Sequence, residues 1–257
     1  MKLFLILFLN FTILSFANLK AEIHKLPYCD LKSVWKHSAY NGPELSYLDN
    51  IKAVIDSGYC GIELDIIYDE KKKLIYISHD LFIEKKQKKK FLLSEVDEIL
   101  KNEKVYLWLD WKNSNILNLN KGLNTIQSTM KSYLSKKDNL IFLETPKLTH
   151  NEILNLLNKK NNLIMLNWIS YSVDSDKFLE KIKNIVRNIR AWTYVCFFSD
   201  KWVSSSNVEI LSLCKNNRKV KSIFIFTINE LGQAKVAFSN GSNVILTDKL
   251  YQSQINE

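Results

Sequence analysis

Glycine and proline are scarce in this chain, 6 and 3 among 257 residues. That scarcity excludes a collagen-like or low-complexity chain and leaves little material for a flexible interdomain linker. No Gly/Ser-rich hinge or shift of composition marks a boundary, so a single domain is expected. No G-x-G-x-x-G occurs, which removes the fingerprint of a dinucleotide-binding doubly wound sheet. Cysteine is confined to Cys29, Cys60, Cys196 and Cys214. None are spaced as C-x-x-C, which argues against a zinc ribbon or a thioredoxin-like motif. Histidine is confined to four positions, so the place of each is informative. Acidic residues are outnumbered, 27 against 36 Lys and Arg, for a formal charge of +9. A basic balance favours anionic partners such as phosphodiesters or phospholipid surfaces. Lys, Asn and Ile are also abundant throughout, as an AT-rich genome would produce. No nucleic-acid-binding motif is recognised, and no nucleic-acid partner is expected.

No apolar run is long enough for a comfortable membrane span. The run that opens the chain contains Asn10 and Thr12, carries only Lys2 as a charge, and ends in Ser15-Phe16-Ala17. Small residues at −3 and −1 fit a secretory signal peptide over 1–17, followed by a mature domain over 18–257. The chain is therefore expected to be exported, to the periplasm or beyond.

After residue 32 the hydrophobic pattern alternates between two periods. Short apolar runs at 33–37, 61–67, 105–111, 140–144, 163–168, 192–198, 222–227 and 243–247 read as strands. An additional strand at 74–79 reads as a β-hairpin excursion after strand two. Helical spacing appears over 48–57, 93–102, 119–135, 150–159, 175–190, 207–215 and 230–239, with Ser94 as an expected N-cap and Gly58 past the end of the first helix. Eight near-continuous apolar strands alternating with helices specify a parallel sheet covered on both faces, and eight suits closure into a (β/α)8 TIM barrel. Cys29 and Cys60 each precede a neighbouring early strand, and an exported chain can keep disulfides, so a Cys29–Cys60 bridge is expected. Cys196 and Cys214 read as buried thiols.

The stretch Gly61-Ile62-Glu63-Leu64-Asp65-Ile66-Ile67 organises the functional reading. In a strand, residues two apart point to one face, so Glu63 and Asp65 aim together while Ile62, Leu64 and Ile66 face the other way. Two carboxylates in a barrel lumen repel one another unless a cation sits between them. Oxygen ligands suit a hard divalent ion, Mg or Ca. His37 ends the first strand and His79 ends the excursion. Asp110 with Lys112, Glu144, Thr227 with Asn229, and Thr247 with Asp248 also fall at strand C-terminal ends, which share one mouth in a barrel. His24 and His150 lie in the N-terminal tail and at a helix start, and read as non-catalytic.

These segments resemble the glycerophosphodiester phosphodiesterase family, within the phospholipase-C-like phosphodiesterases. His37 stands where the family has His-Arg-Gly, and Asp49-Asn50 where it has Glu-Asn. Ile62-Glu63-Leu64-Asp65 matches its I-E-x-D, His79-Asp80 its His-Asp, and Asp110-Trp111-Lys112 its Glu-x-Lys. Thr227-Ile228-Asn229 resembles its T-x-N and Thr247-Asp248 its closing T-D. The ordered set spans almost the whole mature chain. Ser38 and Ala39 depart from the Arg and Gly, and Asp110 from the Glu. The D-x-K form is similar to the sphingomyelinase D-like phospholipases.

The resemblance implies a phosphoric diester hydrolase with one divalent cation, Mg or Ca, held by Glu63, Asp65 and Asp110. It implies His37 and His79 as the general acid and base, and Lys112 as a positive charge toward the phosphate. The substrate would be a small phosphodiester or a phospholipid head group. A lyase forming a cyclic phosphate and a non-catalytic lipid-binding barrel are the alternatives. The run Glu84 to Lys90 would place a basic lip near the mouth, for contact with an anionic membrane surface, or would be a solvated loop. Trp111, Trp168, Trp192 and Trp202 are candidates to line an apolar pocket, with core packing the default and Trp168 the best placed.

Overall fold

The structure, a computed structural model, describes residues 32–41, 46–79, 91–145, 163–168, 193–198, 212, 214–217 and 220–256, without the side chains of 164–168, 193–198, 221 and 256. Nine strands follow in order: β1 (Ser33–Lys36), β2 (Gly61–Asp69), β3 (Leu74–Ile77), β4 (Tyr106–Trp111), β5 (Ile141–Glu144), β6 (Leu163–Trp168), β7 (Thr193–Phe198), β8 (Val220–Phe226) and β9 (Val244–Thr247). Their spatial order is β1-β9-β8-β7-β6-β5-β4-β2-β3, with a further pairing of β1 to β2. All neighbours are parallel except β2 and β3. Because β1 bonds to both β9 and β2, the parallel strands return on themselves in a (β/α) barrel-like fold. On one edge of β2, β1 takes Gly61 and Ile62 while β3 takes Ile66 to Asp69.

Alternation along the strands separates two apolar layers. Trp35, Tyr106, Trp108, Phe142, Phe224, Val244 and Leu246 pack together inside the ring. Trp35 meets Phe142 edge-on at 5.3 Å and Phe224 at 5.4 Å, which draws opposite walls together. Gly61 leaves room for this: a Cβ there would lie 2.2 Å from the Trp35 ring. Ile62, Leu64, Ile66, Leu107 and Leu109 face outward, against the helices. Burying each such side chain contributes roughly 1.5–3 kcal/mol.

Among the described residues the helices outside are α1 (Tyr47–Asp56), α2 (Leu93–Leu100), α3 (Leu119–Thr129), α4 (Lys131–Leu134), α5 (Leu231–Ser239) and α6 (Gln252–Asn256). Ser46 caps α1, its Oγ accepting from the Asp49 amide at 3.2 Å. Ser94 is not the cap of α2; it lies inside the first turn, and Glu95 Oε2 reaches back to the Leu92 amide at 2.8 Å. The helix expected over 119–135 is two helices broken at Met130, whose φ and ψ are −96° and 29°. Asp97 restarts it: its carboxylate accepts from the amides of Ser132 at 3.2 Å and Tyr133 at 2.8 Å. A carboxylate at free first-turn amides satisfies donors that lack a helical partner. The expected helices at 150–159 and 175–190, the signal segment 1–17 and Cys29 lie outside the described residues. Among the described residues no helix is long and apolar enough to cross a membrane.

Candidate metal centre at the barrel mouth

The strand register builds the site. Asp65 on β2 pairs with Asp110 on β4, and Asp110 with Glu144 on β5. Three carboxylates thus form a row across three adjacent strands. Glu63 lies one inward step deeper, level with Trp108. One oxygen from each of Glu63, Asp65 and Asp110 lies within 4.8 Å of the others. All three are buried, at 3, 3 and 9 % exposure. Glu144, 3 % exposed, accepts a 2.9 Å hydrogen bond from Trp108 Nε1.

This crowding acts on protonation. Burial, then the negative charges of Asp65 and Asp110, pushes the Glu63 carboxyl well above its ordinary value. Burial, then Asp110 and Glu63, does the same to Glu144. Burial also raises Asp110, against the opposing charge of Lys112. Three neighbours stabilise the charged forms. The Ser38 amide donates to Glu63 Oε2 at 2.7 Å. The Tyr40 hydroxyl donates to Asp65 Oδ2. Lys112 reaches back between two carboxylates, 2.6 Å from Asp65 Oδ1 and in contact with Asp110 Oδ2. Burial disfavours its charge, but Asp110 and Asp65 raise the Lys112 ammonium above the ordinary lysine value on balance.

Asp110 Oδ1 is buried and has no hydrogen-bond partner. An orphaned buried carboxylate oxygen is costly, and such exceptions call for an explanation such as an ion. Its position among two further carboxylates at ligand spacing fits a hard cation. Glu63, Asp65 and Asp110 would hold it.

His37 follows β1, its amide bonded to the Thr247 carbonyl at 2.9 Å. Its Nδ1 lies 2.9 Å from Asp248 Oδ1. Burial acts to raise the Asp248 carboxyl, but the hydrogen bond and charge of His37, with Asn229 and Lys36, leave it below its usual value. An ionised carboxylate only accepts, so the His37 ring donates to it from Nδ1. Asn229 fixes Asp248 in turn, donating to Oδ2 at 3.2 Å and accepting from the Asp248 amide at 2.8 Å. His79 is exposed beyond β3, where the Ser78 amide bonds the Asp65 carbonyl at 3.0 Å. It lies within electrostatic range of Asp110.

The structure therefore brings Glu63, Asp65, Asp110 and Lys112 into one cluster, sets His79 within electrostatic range of Asp110, and pairs His37 with Asp248. Tyr40 and the Asp248 partnership were missed by sequence reasoning. An aromatic four residues past a strand reads as core, and Asp248 is 211 residues from His37. The alternation that aims Glu144 inward was visible. Trp111 is a core residue and not a pocket wall: it is fully buried, and its ring lies where a Cβ on Gly122 would meet it at 2.0 Å. Cys214 is buried, which pushes its thiol up to about 12. Asp80, the 84–90 run, His24, His150, Trp192, Trp202 and the side chains of Trp168 and Cys196 lie outside the described residues.

No protein-family model matches the chain. No curated protein matches it either. Solved structures do. A phosphodiesterase of Oleispira antarctica, in complex with the product sn-glycerol-3-phosphate, superposes with a TM-score of 0.63 at 14% identity, over 88% of this chain and 97% of that one. A Silicibacter pomeroyi protein described as a glycerophosphoryl diester phosphodiesterase gives 0.60 at 11% identity, over 91% and 95%. The tryptophan synthase α subunit of Campylobacter jejuni gives 0.52 at 15% identity, over 89% and 91%. At these identities the likeness is one of fold, a (β/α) barrel shared by enzymes of unrelated chemistry.

Proposed function

We propose that this chain is an exported, metal-dependent phosphodiesterase acting on a glycerophosphodiester or a related phospholipid-derived phosphodiester. The observation that carries the reading is the convergence of Glu63, Asp65 and Asp110 within 4.8 Å, with a buried Asp110 oxygen lacking a partner. The sn-glycerol-3-phosphate held by the Oleispira antarctica neighbour supports a small phosphodiester as substrate. When bound, a divalent cation at these carboxylates would neutralise charge on a non-bridging phosphate oxygen. Glu63, Asp65 and Asp110 would hold the ion, Mg or Ca. Lys112 adds positive charge beside it and draws the substrate anion to the mouth. His37, its Nδ1 proton held by Asp248, takes a proton at Nε2 from the attacking water. His79 delivers a proton to the leaving oxygen.

The position after His37 bears Ser38, whose amide serves Glu63. No guanidinium enters the site there, and with Asp110 as third ligand this favours a second reading, attack by a hydroxyl of the substrate itself to give a cyclic phosphate. The test is the purified mature chain against a panel of glycerophosphodiesters and lysophospholipids, with EDTA and with added Mg or Ca. Metal-restored release of a phosphomonoester supports hydrolysis. Phosphorus NMR that shows a cyclic phosphate supports the second reading. No turnover of any phosphodiester under any metal condition overturns both.

A further inference from the structure

Five large hydrophobic side chains are exposed among the described residues, and three lie on one projection: Leu74 at 37 %, Ile116 at 57 % and Leu117 at 85 %. The projection is built from two segments at the mouth end of the barrel. β2 continues four residues past Asp65 to Asp69. At about 3.3 Å per residue that carries the β2–β3 hairpin roughly 13 Å beyond the site. The exposed turn at its tip carries Lys71, Lys72 and Lys73, followed by Leu74.

The loop after β4 is braced alongside. Asn113 imitates a strand partner: its Oδ1 accepts from the Tyr68 amide at 3.0 Å and its Nδ2 donates to the Tyr68 carbonyl at 2.9 Å. Asn115 Oδ1 accepts from the amides of Leu117 and Asn118, and Asn118 Nδ2 donates to the Asn113 carbonyl. Lys121, just beyond, pairs with Glu70 of the hairpin turn. Braced by these side chains, although the buried Ser114 Oγ has no hydrogen-bond partner, the loop holds its shape and presents Ile116 and Leu117 to solvent. Rigidly displayed aliphatics cost free energy in water unless something covers them.

We propose that this projection is a docking surface for an anionic lipid bilayer. Isolated lysines on a turn are ordinarily just solvated. Here an exposed lysine turn, in which Lys72 also lies 3.9 Å from Asp69, and three exposed aliphatic side chains sit on two segments tied together by Asn113 with Tyr68 and by Lys121 with Glu70. That combination suits head-group phosphates together with the adjoining acyl boundary. A protein groove could accept the aliphatic pair, but it would not call for the neighbouring lysine triplet. Docking this way faces the barrel mouth toward the lipid surface. The inference is independent of the catalytic reading, because it is measured without turnover.

The test is co-sedimentation of the mature chain with vesicles of phosphatidylcholine alone and of phosphatidylcholine with phosphatidylglycerol. The parent binds the anionic vesicles, more weakly as salt rises. Ile116→Ser with Leu117→Ser lowers that binding roughly tenfold or more, and Lys71→Gln with Lys72→Gln and Lys73→Gln does the same and removes the salt dependence. Leu117→Phe, which keeps an apolar side chain, retains binding, and unchanged melting curves show that the variants are folded. The proposal is overturned if the parent does not prefer anionic vesicles or if both sets of variants bind like the parent. It is equally overturned if only neutralising the lysines of residues 85–90 abolishes binding.

Discussion

The Lys112 ammonium lies 2.6 Å from Asp65 Oδ1 and also contacts Asp110. A side chain from the end of β4 thus stands as counter-charge to two carboxylates of a proposed cation site. Lys112 and a divalent ion would answer the same need. Lys112→Met should therefore destabilise the cation-free chain by about 1–3 kcal/mol, because it leaves two buried acids without that partner. Millimolar Mg or Ca should restore most of the loss. Thermal melts of parent and variant, each with EDTA and with metal, check this: the metal-induced rise in Tm should be larger in the variant.

The raised carboxyl groups of Glu63, Glu144 and Asp110 set a pH dependence. The folded chain keeps protons there that the unfolded chain releases near pH ~4.3. Stability from these groups is therefore full in acid and declines as pH rises above that point through the folded-state values. Asp248, held low, acts with the opposite sign: its contribution is present above about pH 3.9 and fades below it. With EDTA, Tm should fall as pH rises above about 4, and saturating cation should flatten the fall. Cation binding should also release protons, visible as calorimetric heats that vary with the buffer.

Asp248 is a positioning residue for His37. Asp248→Asn removes the carboxylate charge and lets an amide NH2 face His37, so the proton is no longer fixed on Nδ1. The turnover of a glycerophosphodiester should drop about 10–100-fold with KM little changed, and the pH–rate profile should shift. Replacing His37 itself by Ala should cost about 10²–10⁴-fold.

Packing should override propensity at Gly122. Alanine is the better helix former by about 1 kcal/mol. A Cβ at this position would meet Trp111 at 2.0 Å. Gly122→Ala should destabilise by about 1–3 kcal/mol by overpacking, read as a lower denaturant midpoint.

Strand periodicity made the barrel legible. The E-x-D step placed Glu63 and Asp65 on one face, and the same alternation aimed Asp110 and Glu144 inward. What was not legible depended on contacts distant along the chain. The Asp97 carboxylate that splits residues 119–135 into two helices comes from another helix, so no local signal marks Met130. The Tyr40 hydroxyl reaches Asp65 only because the turn after β1 folds back over β2. The destination of Lys112 depends on register, which places Asp65 opposite Asp110 and closes the gap that one ammonium can bridge. Asn113, Asn115 and Asn118 read as a polar loop, whereas together they form a self-bonded scaffold beside β2.

Calorimetric titration of Mg and of Ca into the EDTA-treated, dialysed chain tests the proposed site most directly. The parent should bind one ion per chain, and Glu63→Gln and Asp110→Asn should each weaken it at least about tenfold while still melting cooperatively. A parent that binds neither ion, or variants that bind as tightly as the parent, would contradict it.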